Sequence, residues 1–178
     1  AYKEAGEFQK AIKDYSEAIR LNPIEPLLYV NRGVAYASLG NYQQAIIDLN
    51  KAIEFNPKYF LAYYNRGAAF EESGDFKQAI KDYSKAIDLD PEHVEAYYSR
   101  GEVHDSLGNY LEAIRDFDKA IELNPRYAEA YIKRGSVYFT AGDYQSAMRD
   151  YNKAIEVEPQ DANAYYNRGT VYRSLGSY

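Results

Sequence analysis

One spacing constrains this chain more than any other feature: five prolines recur at intervals of 34 residues. They are Pro23, Pro57, Pro91, Pro125 and Pro159. Two series of glycines and two series of alanines, most of them followed by isoleucine, repeat at the same interval. The glycines are Gly6, Gly40, Gly74, Gly108, Gly142 and Gly176, and Gly33, Gly67, Gly101, Gly135 and Gly169. Independent columns that share one period indicate an array of equivalent units, in which neighbouring units bury a continuous core between them.

Each unit is predicted to consist of two helices. Pro26 suits the first turn of a helix, and Gly40 stands where a residue in the left-handed conformation would end it. Asn41 suits the N-cap of a second helix, which has to end before Pro57 because proline cannot continue it. Apolar residues recur every three or four positions between these points, and no alternation typical of strands is present, so the fold class is predicted to be all-α.

The columns resemble the tetratricopeptide repeat over essentially the whole chain. Tyr29, Gly33, Tyr36, Ala45 and Pro57 illustrate the match, although tyrosine replaces the usual tryptophan and arginine replaces leucine before the glycine. The resemblance implies a right-handed superhelical solenoid of antiparallel helix pairs. We expect a single array over residues 1–178, with complete repeats at 26–59, 60–93, 94–127 and 128–161. A partial repeat at 1–25 and the first helix of a further repeat at 162–178 suggest a piece of a longer protein.

Two charged residues also recur in the repeats. The arginines are Arg32, Arg66, Arg100, Arg134 and Arg168, and the aspartates are Asp14, Asp48, Asp82, Asp116 and Asp150. Each arginine lies at the border of a buried helix face, where a charge needs a partner. We expect each aspartate to pair with the arginine 18 residues later, as in Asp82 with Arg100. The alternative is the arginine 16 residues earlier, and the sequence leaves that choice open.

The other face of each first helix, about 180° from Tyr29 and Tyr36, is free for function. The family resemblance implies that this face lines a concave groove that binds extended peptides or partner helices; a merely solvated surface is the alternative. The candidate binding residues are Asn31, Tyr64, Asn65, Glu71, Tyr98, Ser99, Glu102, Asp105, Lys133, Tyr166 and Asn167. The asparagines resemble in part the ladder that holds peptide backbone in O-linked N-acetylglucosamine transferases, which Ser99 and Lys133 interrupt here.

The composition of the chain limits the classes of partner that it can bind. A formal net charge of -6 argues against nucleic acid, and the acidic middle of the groove face favours a neutral or basic protein segment. The chain has no cysteine and two histidines in unrelated positions, so we expect neither a metal nor a cofactor. No apolar run approaches the roughly 18 residues that a membrane span needs, which favours a soluble, cytoplasmic protein.

The sequence therefore predicts a non-catalytic module for protein–protein interaction. Two alternatives stay open: a regulatory or substrate-selecting arm of a larger enzyme such as a glycosyltransferase, and a self-assembling scaffold. In the second case copies would stack head to tail, residues 162–178 of one meeting residues 1–21 of the next.

Overall fold

A computed structural model of the protein describes the backbone of residues 2–176 and the side chains of residues 6–176. These residues form ten α-helices and no strand. The helices are α1 (Tyr2–Leu21), α2 (Pro26–Ser38), α3 (Tyr42–Phe55), α4 (Phe60–Glu72), α5 (Phe76–Leu89), α6 (Val94–Ser106), α7 (Tyr110–Leu123), α8 (Ala128–Thr140), α9 (Tyr144–Val157) and α10 (Ala162–Ser174). The prediction of an all-α array of helix pairs is confirmed.

The chain divides into two compact units, Ala1–His93 and Val94–Tyr178. In the first unit, α2 packs most closely on α3 and α4 on α5; in the second, α6 packs on α7 and α8 on α9. Each of these pairs is a hairpin of consecutive helices. The division between residues 93 and 94 falls at one of the expected repeat borders, and the borders themselves stay a prediction.

The turn inside each hairpin is made by a glycine in the left-handed conformation. The φ angles of Gly40, Gly74, Gly108, Gly142 and Gly176 lie between 70° and 86°. The backbone amide of Asn41 donates to the carbonyl of Tyr36 at 2.9 Å, so the reversal of the chain also satisfies a carbonyl at the helix end. The predicted N-cap positions are right, but only the aspartates, such as Asp75, accept a hydrogen bond through their side chains.

The first helix differs from its predicted form. The repeat pattern places a turn at Gly6 and the start of a second helix at Phe8, whereas α1 runs without interruption from Tyr2 to Leu21. Gly6 lies inside this helix and does not have the positive φ angle of the turn glycines. A continued helix then satisfies the backbone hydrogen bonds of this segment locally.

A second series of glycines sets how closely the helices of a hairpin approach. A Cβ atom at Gly67 would lie 2.9 Å from the ring of Tyr83, and one at Gly135 would lie 2.8 Å from the ring of Tyr151. Any larger residue would therefore push the hairpin apart. This glycine column therefore has a packing role in these hairpins.

Candidate functional site

The repeated arginine is held by an aspartate of its own hairpin. Arg66 Nε lies 2.6 Å from Asp82 Oδ2, and Arg66 Nη2 lies 2.7 Å from Asp82 Oδ1, which is a bidentate ion pair. The same pair joins Arg32 to Asp48, Arg100 to Asp116 and Arg134 to Asp150. The expected pairing of Asp82 with Arg100 is wrong, since both oxygens of this buried carboxylate, whose residue is 2% exposed, bind Arg66.

The geometry of the hairpin explains the shorter spacing. Arg66 precedes the turn glycine, Gly74, by the same number of residues by which Asp82 follows it. In an antiparallel pair, residues equally far from the turn lie at the same height and face each other. The equal spacing is visible in the sequence, but the symmetric alignment of the two helices about the glycine is a property of the fold.

In four of these arginines the remaining guanidinium nitrogen bonds to a side chain of the preceding helix. The Nη1 atom of Arg32 donates to Ser16 at 3.0 Å, that of Arg66 to Asn50 at 2.5 Å and that of Arg168 to Asn152 at 2.7 Å; that of Arg134 donates to Asp118. Each arginine also lies over the ring of the tyrosine three residues earlier, at 5.3 to 5.9 Å from the ring centre. These side chains are thus engaged in contacts within the array.

In the first unit, α2 and α4, with two residues of α3, line an open groove of about 270 Å³. Its lining consists of Gly33, Val34, Ala37, Ser38, Tyr42, Leu49, Asn65, Ala68, Ala69 and Glu72. Asn65 is the predicted candidate among them, and its Nδ2 donates to the carbonyl of Leu61 at 2.7 Å. The lining is mainly apolar, with one carboxylate, that of Glu72.

Three other positions on this side of the unit are occupied by packing. Tyr64 is half-buried, with its ring centre 5.7 Å from that of Tyr83 and 4.8 Å from that of His93. The hydroxyl of Tyr83 donates to the carboxylate of Glu71 at 2.5 Å. Val30, which the helical angles place on the groove face, is 4% exposed and belongs to the core. Tyr64 and Glu71 therefore do not line the groove of their unit, and Asn31 is half-buried beside it.

In the second unit, α6, α8 and the start of α10 line a groove of about 360 Å³. Its lining consists of Tyr98, Asp105, Glu129, Ile132, Lys133, Ser136, Asp161, Asn163 and Asn167. Four predicted candidates come together here: Tyr98, Asp105, Lys133 and Asn167. A fifth, Glu102, reaches the groove through an ion pair in which Lys133 Nζ lies 2.7 Å from its Oε1.

The second groove is more polar and more acidic than the first. Burial raises the pKa of Asp105; the ammonium of Lys133 opposes this shift, and the carboxylate of Glu102 adds to it. Burial, together with Glu102, also raises the pKa of the Tyr98 hydroxyl. Both side chains are half-buried, and partial loss of hydration disfavours their charged forms.

Some residues that line the second groove were not predicted from the sequence, and some predicted candidates do not line it. Asp161 and Asn163 lie at the N-terminus of α10, whereas the candidates were sought along the middle turns of the first helices. Their position at the start of a helix, next to the groove face, is the signal that could have found them. Ser99 is half-buried and Tyr166 is 74% exposed, and neither lines the groove.

No group of histidine, cysteine or carboxylate side chains among the described residues could hold a metal ion. Across the described residues, no helix is long and apolar enough to cross a membrane.

The family follows from direct comparison. Models described as TPR repeat match residues 1–40, 35–74 and 135–176, and models described as Tetratricopeptide repeat match residues 60–93, 94–127 and 117–149. The chain belongs to the tetratricopeptide repeat family, whose arrays are protein–protein interaction modules and typically non-catalytic. A search of curated protein sequences returns no match.

Solved structures agree with this assignment. The chain is similar to MamA, with 30% identity over 88% of this chain and 92% of MamA, and a TM-score of 0.81. It is also similar to a tetratricopeptide repeat protein from Parabacteroides merdae, with 30% identity over 97% of this chain and 68% of the other, and a TM-score of 0.82. A third similar structure is YrrB, described as a TPR protein with an unusual peptide-binding site, with 25% identity over 92% of this chain and 84% of YrrB, and a TM-score of 0.76.

Proposed function

We propose that this protein binds an extended or helical segment of a protein partner in the grooves of its first helices, without catalysing a reaction. The observation that supports this proposal most directly is that the two sides of those helices have different roles. Four of the repeated arginines are held in ion pairs with aspartates of their own hairpins, while the grooves of about 270 and 360 Å³ are lined mostly by residues that differ between repeats. YrrB, with its described peptide-binding site, supports the same use of the fold.

The groove linings supply what peptide recognition needs. Asn65 and Asn167 carry amide groups that can both donate to and accept from a peptide backbone. Val34 and Ala68 in the first groove, and Tyr98 in the second, offer apolar surface to side chains of the bound segment. Carboxylates outnumber cations in both linings, so the segment should be neutral or basic.

A regulatory or substrate-selecting arm of a larger enzyme would use the same grooves in the same way. Head-to-tail stacking of copies stays a separate prediction. Residues 1, 177 and 178, which take part in that prediction, lie outside the described residues.

The test is selection of binders from a displayed random peptide library on the wild-type protein, followed by calorimetric titration. We expect the selected peptides to lose about tenfold or more in affinity when Val34→Glu or Asn167→Ala is introduced, because buried central contacts dominate binding. The matched control is Lys77→Ala, a change at an exposed position of α5 away from both linings. Binders that tolerate both groove variants, or a library that yields no binders, would contradict the proposal.

A further inference from the structure

We infer that the groove of the second unit receives the cationic end of one lysine or arginine side chain of the bound segment, between Asp105 and Glu129. This inference rests on the proposed function and specifies it: it assigns one groove to one kind of side chain. Three observations support it: the excess of negative charge in the groove, the apolar walls beside the carboxylates, and the contrast with the first groove.

The charge in this groove is not balanced from within. Three carboxylates line it, those of Asp105, Glu129 and Asp161, together with a single ammonium, that of Lys133. Lys133 is already bound to Glu102 at 2.7 Å. Asp161 accepts a hydrogen bond from the backbone amide of Asn163 at 2.8 Å, and the positive end of the helix dipole further offsets its charge.

Asp105 and Glu129 have no comparable neutralising contact among the described residues. Among the described residues, neither is in an ion pair. Asp105 is half-buried and has the carboxylate of Glu102 as a neighbour, so it loses hydration without gaining a full counter-charge. The raised pKa of Asp105 agrees with this under-neutralised state, in which a second cation would be stabilising.

The walls of the groove suit the stem of a long basic side chain. The ring of Tyr98 is held by Phe117 and Tyr127, at centre distances of 5.8 and 5.0 Å, and Ile132 adds apolar surface. Lysine and arginine lay their methylene groups along such surface while the charged end reaches polar partners, and an aromatic face attracts the cation. Asn163 and Asn167 lie in the same lining and can hold the adjoining peptide backbone.

The first groove provides an internal contrast. Its lining contains one carboxylate, Glu72, and no cation, and the rest is apolar or neutral. A basic side chain would find a single exposed partner there, so the selectivity for a cation belongs to the second groove. Lys133 is a specificity-determining residue in this arrangement, because it neutralises Glu102 and repels a second cation.

The probes are N-acetyl-arginine N-methylamide and its uncharged isostere, the citrulline compound, titrated into the full chain and followed by amide NMR. We expect the arginine compound to shift the resonances of Glu129, Asn163 and Asn167, and the citrulline compound to shift them at least about tenfold more weakly, because charge-assisted hydrogen bonds are lost. Asp105→Asn should weaken arginine binding by a similar factor, and Lys133→Gln should strengthen it. The matched control, Glu72→Gln in the first groove, should leave it unchanged.

The outcomes separate this inference from the proposed function. Equal binding of the arginine and citrulline compounds, or no effect of Asp105→Asn, would overturn the charge assignment while selected peptides still occupied the grooves. Failure of the library to yield any groove-dependent peptide would overturn the proposed function as well. Thermal unfolding of each variant shows whether a loss of binding reflects a loss of fold.

Discussion

The first helices of the repeats carry the same residues on their packing side and more varied residues on their groove side. On the packing side, tyrosine, arginine and glycine recur at fixed places, as in the identical stretches YYNRG at 63–67 and 165–169. On the other side, the position two residues after the leading tyrosine holds Asn31, Asn65, Ser99, Lys133 and Asn167, of which Asn65, Lys133 and Asn167 line a groove. The packing side meets the same neighbours in every hairpin, and each of those contacts tolerates few residue types. The groove side meets solvent or a ligand, so its residues are free to differ.

The largest expected effect comes from breaking the arginine–aspartate pair. Arg66→Ala leaves the buried carboxylate of Asp82 without its partner and should lower the free energy of unfolding by about 3 kcal/mol in urea denaturation. A double-mutant cycle of Arg66→Ala with Asp82→Ala should give a coupling energy of about 1 to 3 kcal/mol.

The same cycle tests the pairing itself. Asp48→Ala combined with Arg66→Ala has the spacing of 18 residues and should be additive within about 0.5 kcal/mol, since Asp48 binds Arg32. A larger coupling for Asp48 with Arg66 than for Asp82 with Arg66 would contradict the assignment of partners.

The next effect concerns the packing glycines. Gly67→Leu should cost about 1 to 3 kcal/mol, because a Cβ atom there already meets the ring of Tyr83 at 2.9 Å. Gly169→Leu is the matched control in the same motif, since nothing lies within 4 Å of its Cβ position. There the gain in helix propensity should make the change neutral or slightly stabilising. Equal losses of thermal stability in the two variants would contradict the packing role.

A smaller effect should come from the one repeat in which histidine stands in the tyrosine column. The Nδ1 atom of His104 is buried without a hydrogen-bond partner, and His104→Tyr should raise the free energy of unfolding by about 1 kcal/mol. Burial lowers the pKa of His104; Arg100 adds to this shift, while Asp116 and Glu112 oppose it.

The sign of the pH dependence follows from that shift. As pH falls below about 6.5, the unfolded chain binds a proton at this histidine before the folded chain does, so the stability contributed by neutral His104 is lost. We therefore expect the wild type to lose more stability than His104→Tyr between about pH 7.5 and about pH 5.5. Equal losses in urea denaturation at the two pH values would show that His104 is not the cause.

The smallest effects on stability should come from the groove side. Asn167→Ala and Asp105→Asn should each change the free energy of unfolding by less than about 0.5 kcal/mol, because both side chains line an open groove and neither is in an ion pair among the described residues. A loss above about 1 kcal/mol in either variant would mean that the groove side is also under packing constraint, and the comparison between the two sides would fail.

Outside α1, where continuous helix replaces the turn predicted at Gly6, the sequence by itself determined the helices, their turns and the face of each first helix that packs. Gly40 and Pro57 mark where helices end through the conformations they allow, and the spacing of Tyr29, Gly33 and Tyr36 defines a face because each residue advances about 100° around a helix. These are local properties of the chain, and repetition at 34 residues made them readable.

Only the tertiary structure decided which helices share a charged pair and which groove-face residues remain free. Helical angles place Val30, Tyr64 and Glu71 on the open face, yet neighbouring helices bury Val30 and engage the other two through Tyr83. The height at which Arg66 meets Asp82 likewise depends on how two helices align across their turn. Neither the burial of these residues nor the height of the ion pair can be predicted from the angular period of one helix, because both depend on the distance and the alignment between helices.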